Sequence, residues 1–512
     1  MRWLPLILLA CSPDPSQEVR SPPEGTTDPV TVPSETDTDV PTGGTPTGST
    51  PTETTGPPTA EVGHVRELRG IWVASVWNID WPSSQDAGAD AQRRELDALL
   101  DQAQELGLNA VFLQVRPEGD ALYASELEPW SRWLSGTQGE DPGWDPLAEA
   151  IEGAHARGME LHAWLNPYRG RASTALPLAP EHFCSRTPDA CHTYGSQTWM
   201  DPGDDRVREH ALAVAAELVD RYDLDGLHLD DYFYPYPDGT PFPDDATWSA
   251  YTAGGGALSR EDWRRDNVNR LVAGLADVVS GTPVRFGISP FGIYRPGEPP
   301  GIVGLDQYAE LYSDPPAWVS AGHVDYLAPQ LYWPTTQEAQ AFEALLEWWS
   351  TMASEGGTYT FAGTNLTSIG STPAWSLDEY RAQVTLSRAY TDAKSVGNIH
   401  FSSTMLGDAA LGSLFRELYA APALTPPHAG YETATLEPPQ TIVVTDGVLV
   451  EHPSPLRLYT VYADAGDSWR LIATTPGDAT KVFLDPGVWA IAAVDRFGVE
   501  SPGVIVSVSD AE

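Results

Sequence analysis

From Glu67 to Tyr419 the chain alternates short apolar runs with longer amphipathic ones, the pattern of repeated β-α units built around a parallel sheet. Eight runs read as strands: 68–75, 109–116, 160–167, 226–233, 284–291, 324–333, 359–366 and 398–403. Between them, 91–107, 204–222 and 260–280 read as helices, and in the first of these Leu96, Leu99, Leu100 and Ala103 recur on one face. Eight units in succession predict closure into a (β/α)8 TIM-type barrel, an α/β fold whose chemistry gathers at the carboxyl ends of the strands. A doubly wound open sheet is the competing arrangement, but no Gly-rich phosphate loop follows the first strand.

The flanks have other patterns. Residues 1–11 read MRWLPLILLAC, one Arg followed by an apolar run from Trp3 to Ala10. That run falls well short of the roughly 20 residues that cross a bilayer, so it reads as an export signal. Its end, Leu8-Leu9-Ala10-Cys11, resembles a bacterial lipobox, which implies lipidation of Cys11 and a cell-envelope protein held to a membrane by its lipid alone. Residues 12–64 are almost wholly Pro, Thr, Ser, Gly, Asp and Glu, too poor in apolar surface to offset the entropy of ordering, and predict a disordered tether. The barrel domain is assigned to 65–424. From 425 to 512 short strands with period-two alternation take over, and AIAAVDRFGVES resembles the last hairpin of a fibronectin type III-like sandwich.

Composition narrows the partners. With 72 acidic against 29 basic residues and a net charge of -43, the chain repels phosphate backbones, so no nucleic acid partner is expected. Its 18 tryptophans and 20 tyrosines supply flat faces suited to stacking on sugar rings, although large cores hold aromatics too. Cys184 and Cys191, six residues apart in a polar loop, read as a disulfide in an oxidising compartment, with two free thiols as the alternative. That spacing is not usual for zinc ligands, and no cofactor is called for.

The chemistry concentrates in DLDGLHLDDYFYPYP, residues 223–237. Alternation along a strand puts His228 and Asp230 on one face and Leu227 and Leu229 on the other. If the leucines face the helices, Asp230 stands inside the barrel at the end of the fourth strand, with Asp231 beside it. A carboxylate there suits a reaction that develops positive charge on a sugar ring; a loop-capping Asp is the plainer alternative for either residue. Other strand ends agree in character: Gln114 and Arg116, then Glu118 and Asp120; His162, Trp164 and Asn166; Gln330 and Tyr332; and Asn365. Polar residues often end parallel strands, so the weight lies in their convergence.

In order along the chain, ELRGIWVASVWNIDWPS, FLQVRPEGDALYASELEPWS, LHAWLNPYR, GLHLDDYFYPYP, GISPFGIYRPG and DYLAPQLYWP resemble the glycosyl hydrolase-like family 10 (DUF187) proteins over about residues 66–405. The resemblance implies a (β/α)8 barrel, export, frequent lipid anchoring, and hydrolysis of a polysaccharide, with peptidoglycan strands the leading substrate class. Asp230, Glu118 and Asp231 are the candidate catalytic groups, Glu118 being the first choice of acid. Arg116, Asp120, His162, Trp164, Asn166, His228, Tyr232, Gln330, Tyr332 and Trp333 are the candidate substrate contacts. A distant likeness to chitinase-type barrels, whose fourth strand ends Asp-Gly-x-Asp-x-Asp-x-Glu, holds at Asp225, Gly226 and Asp230. His228 and Tyr232 replace its middle Asp and its Glu. Two rival readings are a non-catalytic glycan-binding lipoprotein and a metal-dependent polysaccharide deacetylase. The second is disfavoured because no His-x3-His pair is present.

Overall fold

Eight parallel strands close into a barrel in chain order in a computed structural model that describes residues 57–370 and 375–509. They are β1 (Leu68–Val73), β2 (Ala110–Arg116), β3 (Glu160–Leu165), β4 (Gly226–Leu229), β5 (Arg285–Ile288), β6 (Tyr326–Leu327), β7 (Tyr359–Asn365) and β8 (Ser395–Phe401), with β8 pairing back onto β1. The eight-stranded barrel expected from the apolar runs is therefore present. The sixth run contributes only two ladder residues, because Pro329 has no N–H to donate. Beyond it Gln330 makes single parallel bridges to Phe291 and Gly363. Helices Ala89–Glu105, Asp205–Arg221 and Arg260–Val279 lie where amphipathic periodicity puts them.

The barrel interior is aromatic. Trp72, Phe112, Trp164, Tyr326 and Phe361 share one buried cluster, and two glycines make room for it. A Cβ on Gly226 would lie 2.2 Å from the His162 ring, and one on Gly287 would lie 2.0 Å from the Tyr326 ring. These positions need glycine for close approach, not for backbone freedom.

Residues 425–509 build two antiparallel sheets. Gln440–Val444, Gly447–Glu451 and Lys481–Phe483 form one. Leu456–Asp464, Trp469–Pro476, Gly487–Asp495 and Gly503–Val508 form most of the other. Val448, Val450 and Val482 from the first pack with Val461, Ile491 and Val504 from the second. The fifth strand of the larger sheet is Thr59–Ala60, antiparallel to Gly503–Val508, and Val65–Arg66 pairs with Ala423–Leu424. Thr59 and Ala60, assigned above to the tether, thus belong to this sheet, and residues 12–56 of that segment lie outside the described residues. An edge strand offers backbone groups that a polar segment can pair with regardless of its side chains. Cys11 and the segment read as an export signal lie outside the described residues.

This β module is joined to the amino ends of the barrel strands by buried ion pairs. Glu160, the first residue of β3, is 2% exposed. It accepts from Thr425 Oγ1 at 2.5 Å, from Arg285 Nη2 at 3.3 Å and from Arg457 Nη1. Arg285 also donates to the carbonyl of Pro426 at 2.6 Å. One strand along, Arg496 pairs with Asp223 at 2.5 Å and Asp225 at 3.5 Å. Burial alone would push the Glu160 carboxyl up, but Arg285 and Arg457 outweigh it and hold it well below the ordinary carboxylate range. Because the folded-state value is depressed, the stabilisation is present above the ordinary value and is lost as the pH falls through the folded one. Arg457→Ala leaves part of a buried charge uncompensated and should cost about 3–5 kcal/mol at neutral pH. The loss should shrink in acid, read as a fall in the denaturant midpoint at pH 7 against pH 4.

Candidate active site

Below the barrel mouth, a single chain of hydrogen bonds crosses the interior. Trp72 Nε1 donates to His228 Nε2 at 3.1 Å, and His228 Nδ1 lies 3.1 Å from Tyr326 Oη. Tyr326 Oη lies 3.0 Å from His162 Nδ1, and His162 Nε2 lies 3.2 Å from Glu160 Oε2. An indole N–H can only donate, so His228 carries its proton on Nδ1 and gives it to Tyr326. Tyr326 then donates to His162, whose own proton points at Glu160; these tautomers are assigned from the network. Phe112 packs on both imidazoles at 4.4 and 5.0 Å. Burial and the neighbouring His162 push the His228 imidazole well below its ordinary value, so it is neutral. Both histidines are 0% exposed. Both are expected substrate contacts, and the structure places them in this ring line, a layer below Asp230.

One layer higher stand the carboxylates. Asp230 Oδ2 accepts from Asn166 Nδ2 at 2.5 Å and Trp164 Nε1 at 3.1 Å, while its Oδ1 accepts the Tyr232 amide at 3.3 Å. Asn166 Oδ1 is in turn held by Gln114 Nε2 at 2.6 Å and Arg169 Nη2 at 2.8 Å. Burial, reinforced by the adjacent Asp231, pushes the Asp230 carboxyl up to about 7, against the opposing pull of Arg169 and the Asn166 amide. Asp231 is also raised by burial, and hydrogen bonds from Tyr236 and Gln330 oppose the rise. Tyr236 Oη donates directly to Asp231 Oδ2. Two neighbouring carboxyls, both lifted toward neutrality at a strand end, can divide the roles of anion and proton donor.

The residues after β2 are arranged otherwise. A bulge between Gln114 and Arg116 puts two β2 residues against one of β3, so Gln114 pairs with inward Trp164 and Arg116 with outward Leu165. Arg116 therefore leaves the face it was expected to share. It is bidentate to Glu128 at 2.5 and 2.9 Å and donates to the carbonyls of Asn166 and Pro167 at 2.6 and 3.1 Å. All of these groups are buried, and the guanidinium expected to meet substrate is engaged with them. Glu118, also buried, accepts Arg132 Nε at 2.8 Å and the Ala172 amide at 2.5 Å, so both oxygens are engaged. Asp120 is buried beside it, with Gln138 on Oδ2 at 3.0 Å and no partner on Oδ1. Burial and the Glu118 charge push it up to about 7.

Gln330 donates to the Ser289 carbonyl at 3.1 Å, Trp333 packs edge-on against Phe291 at 5.6 Å, and Tyr332 lies 6.2 Å from Phe401. Cys184 and Cys191 are joined, their Cα atoms 5.6 Å apart. The bridge pins the excursion after β3, where Arg169–Arg171, Gln197–Met200 and Cys191–Tyr194 form a small sheet. Among the described residues no group of three or more His, Cys, Asp or Glu is placed to hold a metal ion. Sequence reasoning passed over Arg169, Tyr236, Trp72 and Tyr326. The first two lie in LNPYR and DDYFYPYP, and the signal that could have found them is proximity to the carboxylate strand end. Arg169 also lies 5.1 Å over the Tyr232 ring, so the guanidinium and Tyr232 flank the same carboxylates.

Residues 67–379 match the family described as Glycosyl hydrolase-like 10. Glycosyl hydrolase YngK of Bacillus subtilis (strain 168) is 39% identical over 450 residues, 82% of this chain and 88% of that protein. Glycosyl hydrolase DigH of Escherichia coli (strain K12) is 36% identical over 337 residues, 61% of this chain and 76% of its own. The glycoside hydrolase domain of PgaB from Bordetella bronchiseptica overlays with a TM-score of 0.45 and 14% identity, covering 69% of this chain and 99% of that one. That likeness is too slight to add to the strand order already described. Family match and identity together place this chain in the Glycosyl hydrolase-like 10 family.

Proposed function

We propose that this protein is an exported, lipid-anchored glycoside hydrolase that cleaves cell-wall glycan strands, with Asp230 and Asp231 as its reacting pair. The observation that carries the reading is the Asp230–Asp231 step at the end of β4, where burial raises both carboxyls and the Asp231 charge raises Asp230 further. Shared between them, one negative charge and one proton meet the needs of glycosidic cleavage. Asp231, on the Tyr236 side, gives its proton to the departing oxygen as the C–O bond breaks. Asp230, oriented by Trp164 and Asn166, faces the positive charge that develops at the anomeric carbon. Water completes the hydrolysis and its proton returns to the pair. Glu118, expected as the acid, is a poorer donor in this scheme, because Arg132 and the Ala172 amide occupy both of its oxygens. Export and anchoring rest on the segment ending at Cys11. The hydrolase reading is supported by relatives described as glycosyl hydrolases, and the cell-wall substrate rests on the family resemblance alone.

Asp230→Asn keeps the size of the side chain and removes its charge. Turnover of peptide-free peptidoglycan strands, followed by mass spectrometry of products, should fall at least 100-fold, about 2.7 kcal/mol, with the melting temperature little changed. Near wild-type turnover would remove the assignment, and absence of products from the wild-type enzyme would remove the hydrolase reading in favour of glycan binding alone.

The pair should also give a bell-shaped dependence of kcat/KM on pH, its limbs belonging to the coupled dyad and not to either residue. In this scheme Asp231 is neutral while Asp230 titrates on the acid side, so Asp231→Asn should leave the acid limb in place and remove the alkaline one. Burial keeps the acid limb above the ordinary aspartate value. Turnover by this variant should largely recover on an aryl glycoside whose leaving group needs no proton, while Asp230→Asn should not recover. Equal loss on both substrates would argue against Asp231 as the acid.

Cys11→Ser should release the protein from membranes into the soluble fraction with activity on soluble glycan unchanged. One acyl chain binds a bilayer only marginally, so firm anchoring requires more than one. Wild-type protein recovered wholly soluble after export would exclude the anchor.

A further inference from the structure

Beside the barrel mouth lies a groove of about 750 Å³, within the roughly 300–1,000 Å³ span of ligand sites. Its walls come from the loops after β1, β2 and β3. Trp77, Trp133, Leu178 and Pro180 line it together with Gln85 and Asp86. Trp77 is 51% exposed, the one tryptophan so exposed among the described residues. Trp133 is buried beside it with ring centroids 5.0 Å apart, and its indole N–H has no partner among the described residues. Exposing an indole costs hydration free energy, and here the backbone is strained as well to hold it out. Trp77 has φ 58° and ψ 16°, and Asn78 has φ 50°, a left-handed conformation that side chains other than Gly, Asn and Asp adopt rarely.

The strain is held by specific contacts. Asn78 Nδ2 donates to the carbonyls of Pro82 and Trp133, both at 2.9 Å. Gln114 Oε1 accepts the amides of Ser75 and Val76, both at 3.0 Å. Gln114 is also the residue whose Nε2 binds Asn166, the partner of Asp230. The Trp77 loop is therefore tied to the same side chain that orients the Asp230 amide partner, so the groove wall and the carboxylate site are held by one relay.

We propose that this groove is a glycan subsite in which a pyranose ring of a bound strand stacks on Trp77, extending the strand away from the Asp230–Asp231 pair. Uncharged sugar rings are the chemistry that fits. A flat apolar face on a wet polar rim matches the C–H face and hydroxyl edge of a pyranose. The cations at the groove are committed elsewhere, Arg132 donating to Glu118 and to the Pro177 carbonyl, so an anionic ligand has no free counter-charge there. The inference rests on the hydrolase reading only for its relation to the cut bond, since binding can be measured without turnover.

The test uses full-length protein carrying Asp230→Asn, titrated calorimetrically with peptide-free peptidoglycan glycan oligomers of increasing length. Affinity should rise with length in this parent. Adding Trp77→Ala should weaken binding of the long oligomers about 5–10-fold and leave the shortest unchanged, the scale of one lost stacking contact. Trp77→Phe should restore part of the loss. Because Trp77 is half exposed, the melting temperature should stay near that of the parent. Trp77→Ala binding the long oligomers as tightly as the parent overturns the subsite and leaves the hydrolase reading standing. A length-dependent loss in a protein whose Asp230 form cuts no glycan upholds the subsite and overturns the hydrolase reading. No binding to any oligomer by the parent overturns both.

Discussion

The structure depends on filling the inside of the barrel with polar rings that satisfy one another without water. Trp72, His228, Tyr326, His162 and Glu160 form one hydrogen-bonded line, and each group has one consistent role as donor or acceptor. Glu160 must be ionised to end that line as an acceptor, so it needs the arginines that the β module and β5 bring. The ring line in turn needs Gly226 and Gly287, which leave room for His162 and Tyr326. A buried polar chain of this kind is favourable only when complete. Its completeness couples the module at one end of the barrel to the floor of the site at the other.

That constraint explains what was legible in the residues and what was not. Alternation correctly turned His228, Asp230, Trp164 and Asn166 inward, because β3 and β4 run without irregularity where they pair. It failed at Arg116, because the bulge in β2 is set by the fit against β3 and leaves no mark in local composition. Facing inward was also not the same as facing substrate. A strand rises about 3.3 Å per residue, so His228, two residues before Asp230, sits roughly 6–7 Å deeper and belongs to the closed layer. Depth along the strand, not face alone, separates floor from site. Residues 59–60 were misread for a related reason, since edge pairing uses backbone groups that composition does not register.

The acidic residues after β2 show why residue type at a strand end is an incomplete guide. Glu118 and Asp120 stand where a barrel enzyme could use them, yet Arg132 and the Ala172 amide close around Glu118, and Gln138 holds Asp120. Arg132 and Gln138 both reach the groove that carries Trp77. These carboxyls therefore shape a wall next to the Asp230–Asp231 pair. A loop that buries its own acids against its own arginine keeps its geometry fixed in a way that solvated acids could not.

Two enclosed carboxyls, Glu160 and Asp230, are set in opposite directions by the groups that touch them. Glu160 touches two guanidinium groups and is held low. Asp230 is equally enclosed but touches amide and indole donors, and it is held high, at about 7. The nearest cation that acts on it, Arg169, spends its Nη2 on Asn166 Oδ1 and its Nε on the Pro117 carbonyl. Placed one residue away, Arg169 orients the amide that grips Asp230 without forming the ion pair that would drain its proton affinity. Interposing Asn166 between Arg169 and Asp230 is what leaves a buried carboxyl poised near neutrality instead of locked as a permanent anion.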